Sequence, residues 1–156
     1  MVYSQLQSVM AALRLRLAEI ENKKGQLDAM IAQFRTQARR LPRQAVHGRV
    51  SLDASLAALG EIEERLADTM SNRRRLLAIK KTCEEELEAL EVVKRVDEAR
   101  RAHADLTKRA RTSGNDEAAA AEMHRLEQFI AEHSKRAEWA ITASYQERYP
   151  ELSNES

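Results

Sequence analysis

The stretch that decides the fold is residues 6–41, "LQSVMAALRLRLAEIENKKGQLDAMIAQFRTQARRL". Apolar residues recur along it at alternating steps of four and three, with one polar member, Lys24. Such a heptad repeat is typical of a helix that packs along a narrow seam, as in coiled coils. A single polar seam residue favours one alignment of the paired helices over others. The predicted seam positions are Leu6, Met10, Leu13, Leu17, Ile20, Lys24, Leu27, Ile31, Phe34, Ala38 and Leu41.

Helix boundaries follow from proline and from capping residues. Pro42 predicts the end of the first helix, because proline removes a backbone donor and restricts the residue before it. Ser51 and Asn115 have the side chains of N-caps for a second and a third helix. The dipeptide Tyr149-Pro150 predicts the end of the third helix. The predicted helices span residues 3–41, 52–111 and 115–149.

The second helix has a less regular pattern. We predict that its first half faces inward through Leu52, Leu56, Leu59, Ile62, Leu66 and Met70. At residues 70–77, "MSNRRRLL", a pure heptad would continue through Arg73, whereas the apolar residues resume at Leu76. Irregular steps of this kind change the supercoil or rotate the apolar face. The pattern therefore predicts that the second half of this helix turns toward a new partner helix.

Short connections between long helices make them antiparallel neighbours. The predicted fold class is all-α, an elongated antiparallel coiled coil of three helices, with two hairpins that share the long central helix. The two outer helices are expected to overlap in a three-helix waist near residues 76–90. We expect one helical domain over residues 1–149 and a disordered tail over residues 150–156. Because a second chain would produce the same heptads, a homo-oligomer is also expected.

The composition narrows the class of protein. A third of the residues are charged and 4% are aromatic, which is typical of long helices and gives little material for a deep ligand pocket. The net charge of +1 argues against wholesale wrapping of nucleic acid. No apolar run approaches the roughly 20 residues of a membrane span, and arginines interrupt the start where a signal peptide needs apolar residues. We therefore expect a cytoplasmic protein.

No motif for catalysis is present. The sequence has no glycine-rich phosphate loop, no nucleophile elbow and no Cys/His cluster, so we predict no enzyme activity, no cofactor and no metal. His103 and His124 fall at one level of the second predicted hairpin, with Glu127 a turn further on. These side chains would suit an open zinc site, although two surface histidines explain them more simply.

Two groups of charged residues are candidates for partner binding. Between Asp28 and Asp53 the chain has no acidic residue. We call the arginines at this bend the basic tip, which comprises Arg35, Arg39, Arg40, Arg43 and Arg49. We call four of the five glutamates in "EEELEALE", residues 84–91, the acidic waist, which comprises Glu84, Glu85, Glu88 and Glu91. The plain alternative is a solvated bend for the basic tip, and a solvated helix face with ion pairs four residues apart for the acidic waist.

The sequence favours a non-enzymatic coiled-coil interaction protein, that is, a scaffold, adaptor or assembly subunit. Its expected partner is a protein, or another copy of this chain, bound through the basic tip and the waist around residues 76–91. A nucleic-acid-binding accessory protein is an alternative, but the bend offers only Phe34 for base stacking, and the heptad assigns that residue to the seam. A small metal-binding helical protein is a second alternative.

Overall fold

The computed structural model describes residues 3–48, 50–113 and 117–139. Within these ranges the chain forms three helices and no strand: α1 (Tyr3–Val46), α2 (Leu52–Ser113) and α3 (Glu117–Trp139). Helix α1 packs on α2, and α2 packs on α3. The all-α fold of helical hairpins that the heptads predicted is thus confirmed.

The chain divides into two compact units. One, which we call the hairpin unit, is Leu15–Thr82 and joins the second part of α1 to the first part of α2. The other, which we call the three-helix unit, is Met1–Arg14 with Cys83–Ser156. It contains the start of α1, the second part of α2, and α3.

Helix α1 continues through Pro42, so its predicted end at residue 41 was wrong. The proline cannot donate a hydrogen bond to the carbonyl of Ala38, but only one further turn follows before the helix ends at Val46. Ala45 lies one seam step beyond Leu41 and is half-buried. Packing of Ala45 in the continued heptad therefore favours the extra turn over a break at the proline.

Gly48 ends α1. Its φ of 70° lies in the left-handed region, which glycine adopts without strain and which commonly closes a helix. The Gly48 N–H donates to the carbonyl of Ala45 at 3.3 Å, and the His47 N–H donates to that of Arg43 at 3.3 Å. These bonds use carbonyls that the helix end would otherwise leave without a donor.

Ser51 begins α2 as predicted. The backbone N–H of Ala54 donates to Ser51 Oγ at 3.2 Å, which is the bond of an N-cap. Asp53 lies in the first turn, where its negative charge complements the helix dipole. The predicted N-cap of α3, Asn115, lies outside the described residues, as do the predicted helix end at 149 and the tail 150–156.

The seam of α1 is confirmed. Every seam position predicted from the heptad is buried or half-buried, and Met10 is fully buried. The polar member, Lys24, is half-buried. A lysine there packs its methylene stem along the seam while its ammonium group reaches solvent.

The seam of α2 differs from its prediction. Leu52, Leu56 and Met70 were expected to face inward, but they are 71%, 67% and 41% exposed. Steps of four and three instead run without a slip through Arg73, which is half-buried. The seam positions of α2 in the hairpin unit are Ser55, Leu59, Ile62, Leu66, Thr69, Arg73, Leu76 and Lys80, all buried or half-buried.

Three polar seam residues of α2 have side-chain partners close by: Thr69, Arg73 and Lys80. Thr69 Oγ1 donates to the carbonyl of Arg65 at 2.8 Å, so the buried hydroxyl is satisfied within its own helix. Arg73 Nε donates to Asp28 Oδ1 at 2.6 Å. Lys80 Nζ lies 2.5 Å from Glu21 Oε1.

Both cross-helix ion pairs belong to one antiparallel register. Glu21 and Asp28 are one heptad apart on α1, and their partners Lys80 and Arg73 are one heptad apart on α2 in the opposite order. The polar residues at these seam positions thus hold the two helices of the hairpin unit in this alignment.

In the three-helix unit, α1 and α3 reach the same turn of α2. Arg14 of α1 lies 3.4 Å from Glu91, and Arg136 of α3 lies 3.3 Å from Glu88. Leu90, between the two glutamates, is buried. Cys83 is also buried, and its Sγ donates to the carbonyl of Leu13 at 3.5 Å.

Candidate interaction surfaces

The basic tip lies on the last turns of α1 and at the turn that follows. Arg35, Arg39 and Arg43 are four residues apart, so they follow one stripe of the helix. Arg40 lies beside them, and all these residues are exposed. None of them forms an ion pair with a residue that the structure describes. The side chain of Arg49 lies outside the described residues.

The same end of the hairpin unit exposes large apolar side chains, which the sequence analysis missed. We call them the tip apolar residues: Val46, Val50, Leu52 and Leu56. Val46, in the last turn of α1, is 82% exposed. Leu52 and Leu56 are one turn apart on α2 and share a face. Continuing the α1 heptad past Pro42 would have revealed them. The longer α1 changes which residues of α1 and α2 lie opposite each other, and Leu52 then has no residue of α1 to pack against.

A cavity of about 490 Å³ lies at this end of the hairpin unit. Its described lining combines Arg43 and His47 with Gln44 and the apolar Val50. The lining therefore offers a positive charge, hydrogen-bonding groups and an apolar contact.

The acidic waist is partly used within the three-helix unit. Glu88 and Glu91 form the ion pairs with α3 and α1 described above. Glu84 and Glu85 are exposed and also take part in interactions of their own. The waist is therefore a surface whose carboxylates already contribute to helix packing, whereas the arginines of the basic tip do not.

His103 of α2 lies beside Glu127 of α3, whereas His124 lies apart from this contact. His103 Nε2 lies 2.8 Å from Glu127 Oε1, which links the two helices, while His124 is exposed. In the described part of the chain, no group of three His, Cys, Asp or Glu residues could hold a metal ion.

A second cavity, of about 470 Å³, lies along the same two helices and is lined by Arg95, Glu98, Ala99, Ala102, Arg125, Leu126 and Phe129.

None of the helices, over the residues that the structure describes, is long and apolar enough to cross a membrane.

The fold and surfaces define an all-α protein of antiparallel helical hairpins whose turn between α1 and α2 is both basic and apolar. Comparison with protein-family models, curated proteins and solved structures found no match to this chain.

Proposed function

We propose that this chain is a non-enzymatic coiled-coil interaction protein, a scaffold, adaptor or assembly subunit, which binds an acidic protein partner through the basic tip. The observation that carries the proposal is the set of exposed arginines at residues 35–43, without an ion pair to any described residue. Neighbouring charges of one sign raise the local potential, which attracts an oppositely charged surface and speeds association. An arginine also pairs with a carboxylate through two parallel hydrogen bonds.

The acidic waist is the second surface in the proposal. Glu84 and Glu85 are exposed, so they offer carboxylates to a basic partner or to the basic tip of another copy of the chain. Binding a partner at the waist competes with the pairs of Glu88 and Glu91 to Arg136 and Arg14, and with the interactions that Glu84 and Glu85 already make. We therefore assign the main contact to the basic tip.

A nucleic acid would also supply negative charge to these arginines. The large apolar residues exposed next to them are aliphatic, however, and the nearby Phe34 is half-buried in the seam. Single-stranded nucleic acids are held by stacking on several exposed aromatic rings, and among the described residues of this tip only His47 exposes a ring. The aliphatic surroundings therefore favour a protein partner.

The experiment compares two triple variants with the same net charge. The first changes Arg39, Arg40 and Arg43 to Ala; the control changes Arg74, Arg75 and Arg111, exposed arginines away from the tip, to Ala. The partners that the tagged wild-type protein retains from its native extract are identified, purified and titrated against each variant. We expect the tip variant to lose about tenfold or more in affinity and the control to keep the wild-type value.

Raising the salt concentration from about 0.05 M to about 0.5 M should weaken wild-type binding, because exposed charges are screened. Equal affinity of the tip variant and the wild type for every retained partner would contradict the proposal. Retention of nucleic acid alone, lost in the tip variant, would favour the nucleic-acid alternative instead.

A further inference from the structure

Resting on the proposed function, we infer that the tip recognises an amphipathic acidic segment of a partner protein, one that carries both carboxylates and large apolar side chains. The carboxylates would face Arg39 and Arg43, and the apolar side chains would cover Leu52, Leu56 and Val46. The inference names a feature of the partner that the charges of the basic tip alone do not require.

The exposure of the tip apolar residues carries the inference. Leu52 and Leu56 are 71% and 67% exposed, and they lie at the start of α2 beside the end of α1 that bears the arginines. Apolar residues grouped on a surface and bordered by polar ones mark binding sites. Since Arg43 and Val50 line one cavity, positive charge and apolar contact occur at one place on the surface.

A second copy of the same tip does not fit. Pairing two tips would cover the apolar side chains of both copies, but it would also bring together two sets of arginines that have no acidic residue between Asp28 and Asp53. Like charges held close together in an interface are costly. The occupant must therefore be acidic as well as apolar.

An anionic bilayer shares this chemistry, but the geometry favours a protein segment. Leu56 lies one helical turn further along α2 than Leu52, so the apolar surface extends along the side of the hairpin unit and is not confined to its turn. The cavity lined by Arg43 and His47 is concave. A protruding side chain fills a cavity, whereas a flat lipid surface does not.

The test selects peptides from a random display library on the immobilised full-length protein. Library members of about 15 residues can form about four helical turns, enough to present two chemically different faces. We expect the selected sequences to contain Asp or Glu together with Leu, Ile, Val, Met or Phe. Their affinity should fall about tenfold with Leu52→Gln/Leu56→Gln, and by a similar factor with Arg39→Ala/Arg43→Ala.

The matched control is Leu15→Gln/Ile79→Gln. These two large apolar residues are 65% and 56% exposed and lie away from the tip. The control double variant should bind the selected peptides as the wild type does. Because all four leucine and isoleucine positions are exposed, circular dichroism should show unchanged helix content in both variants.

The other outcomes separate this inference from the proposed function. Selection of acidic peptides without apolar residues, with affinity unchanged by Leu52→Gln/Leu56→Gln, would overturn the inference and leave the proposed function standing. Selected peptides whose affinity is unchanged by Leu52→Gln/Leu56→Gln and also by Arg39→Ala/Arg43→Ala would overturn the inference and the proposed function together. Failure to enrich any peptide would overturn the inference, and binding to vesicles only when they contain phosphatidylserine would then assign the tip to membranes.

Discussion

At the scale of single residues, substitutions of two glycines test the backbone of the hairpin unit. Gly48 has a φ of 70°, whereas Gly60 lies inside α2, where an added β-carbon would meet no atom within 4 Å. Gly48→Ala should lower the free energy of unfolding by about 1 kcal/mol, because a β-carbon strains the left-handed backbone. Gly60→Ala should raise it by about 0.5–1 kcal/mol, because alanine favours the helix. Urea denaturation measures both, and effects of the same sign would contradict the turn geometry.

Glu21 gives the chain a local dependence on pH. The hydrogen bond from Lys80, its positive charge, and the charge of Lys24 all hold the pKa of the Glu21 carboxyl below its ordinary value of 4.5. The unfolded chain therefore takes up this proton first as the pH falls, so the stability that Glu21 contributes near neutral pH is lost as the pH drops through the lowered folded-state pKa.

Thermal unfolding of the wild type and of Glu21→Gln should accordingly differ most near neutral pH, and the difference should disappear below the lowered folded-state pKa of Glu21. In a Lys80→Met background the same comparison should show little dependence on pH, because the main cause of the shift is gone. A pH-dependent difference that persists without Lys80 would assign the effect to another group.

At the scale of the helices, charged residues beside the α1 seam and on the α2 seam select one register. On α1, Arg14 and Arg35 lie one heptad to either side of the acidic pair Glu21 and Asp28. Sliding α2 by a heptad in one direction would put Arg73 beside Arg35, and in the other direction Lys80 beside Arg14. Each slip keeps one ion pair and replaces the other with two like charges, so the seam disfavours both misalignments as well as stabilising the observed one.

A charge exchange tests this pairing. Arg73→Asp places two carboxylates together and should lower the free energy of unfolding by about 1 kcal/mol, whereas adding Asp28→Arg should recover about 0.5–1 kcal/mol of the loss. A double-mutant cycle by urea denaturation gives the coupling energy. Strictly additive effects of the two substitutions would show that this ion pair does not contribute to the alignment.

At the scale of the whole molecule, α1 could be predicted better than α2 for a physical reason. The seam of α1 is apolar at every position but Lys24, so its apolar residues trace the buried face. On α2, polar residues occupy buried positions, and the apolar neighbours Leu56 and Met70 directly follow the buried Ser55 and Thr69. A search for apolar residues therefore selects the adjacent, exposed face.

The sequence predicted the charged part of the candidate site but not its apolar part, for a related reason. The arginines of the basic tip follow from the sequence, because no acidic residue interrupts them. The exposure of the tip apolar residues does not follow from the sequence. Pro42 indicated an early end of α1, and in the helix pairing predicted from that end Leu52 had a residue of α1 to pack against. In the structure α1 is one turn longer than predicted, which shifts the pairing of α1 with α2. Leu52 then has no residue of α1 opposite it and is exposed. The small net charge of +1 likewise conceals a strongly basic end.

The charged seam also limits how this protein can change over evolutionary time. A deletion or insertion of one heptad in α1 alone, between Glu21 and the turn, would move the acidic residues past their partners and bring like charges together. Equal changes in both helices, made between these pairs and the turn, leave every pair intact. Descendants of this hairpin should therefore vary in length by matched heptads near the turn, where new sequence can alter the partner without disturbing the alignment.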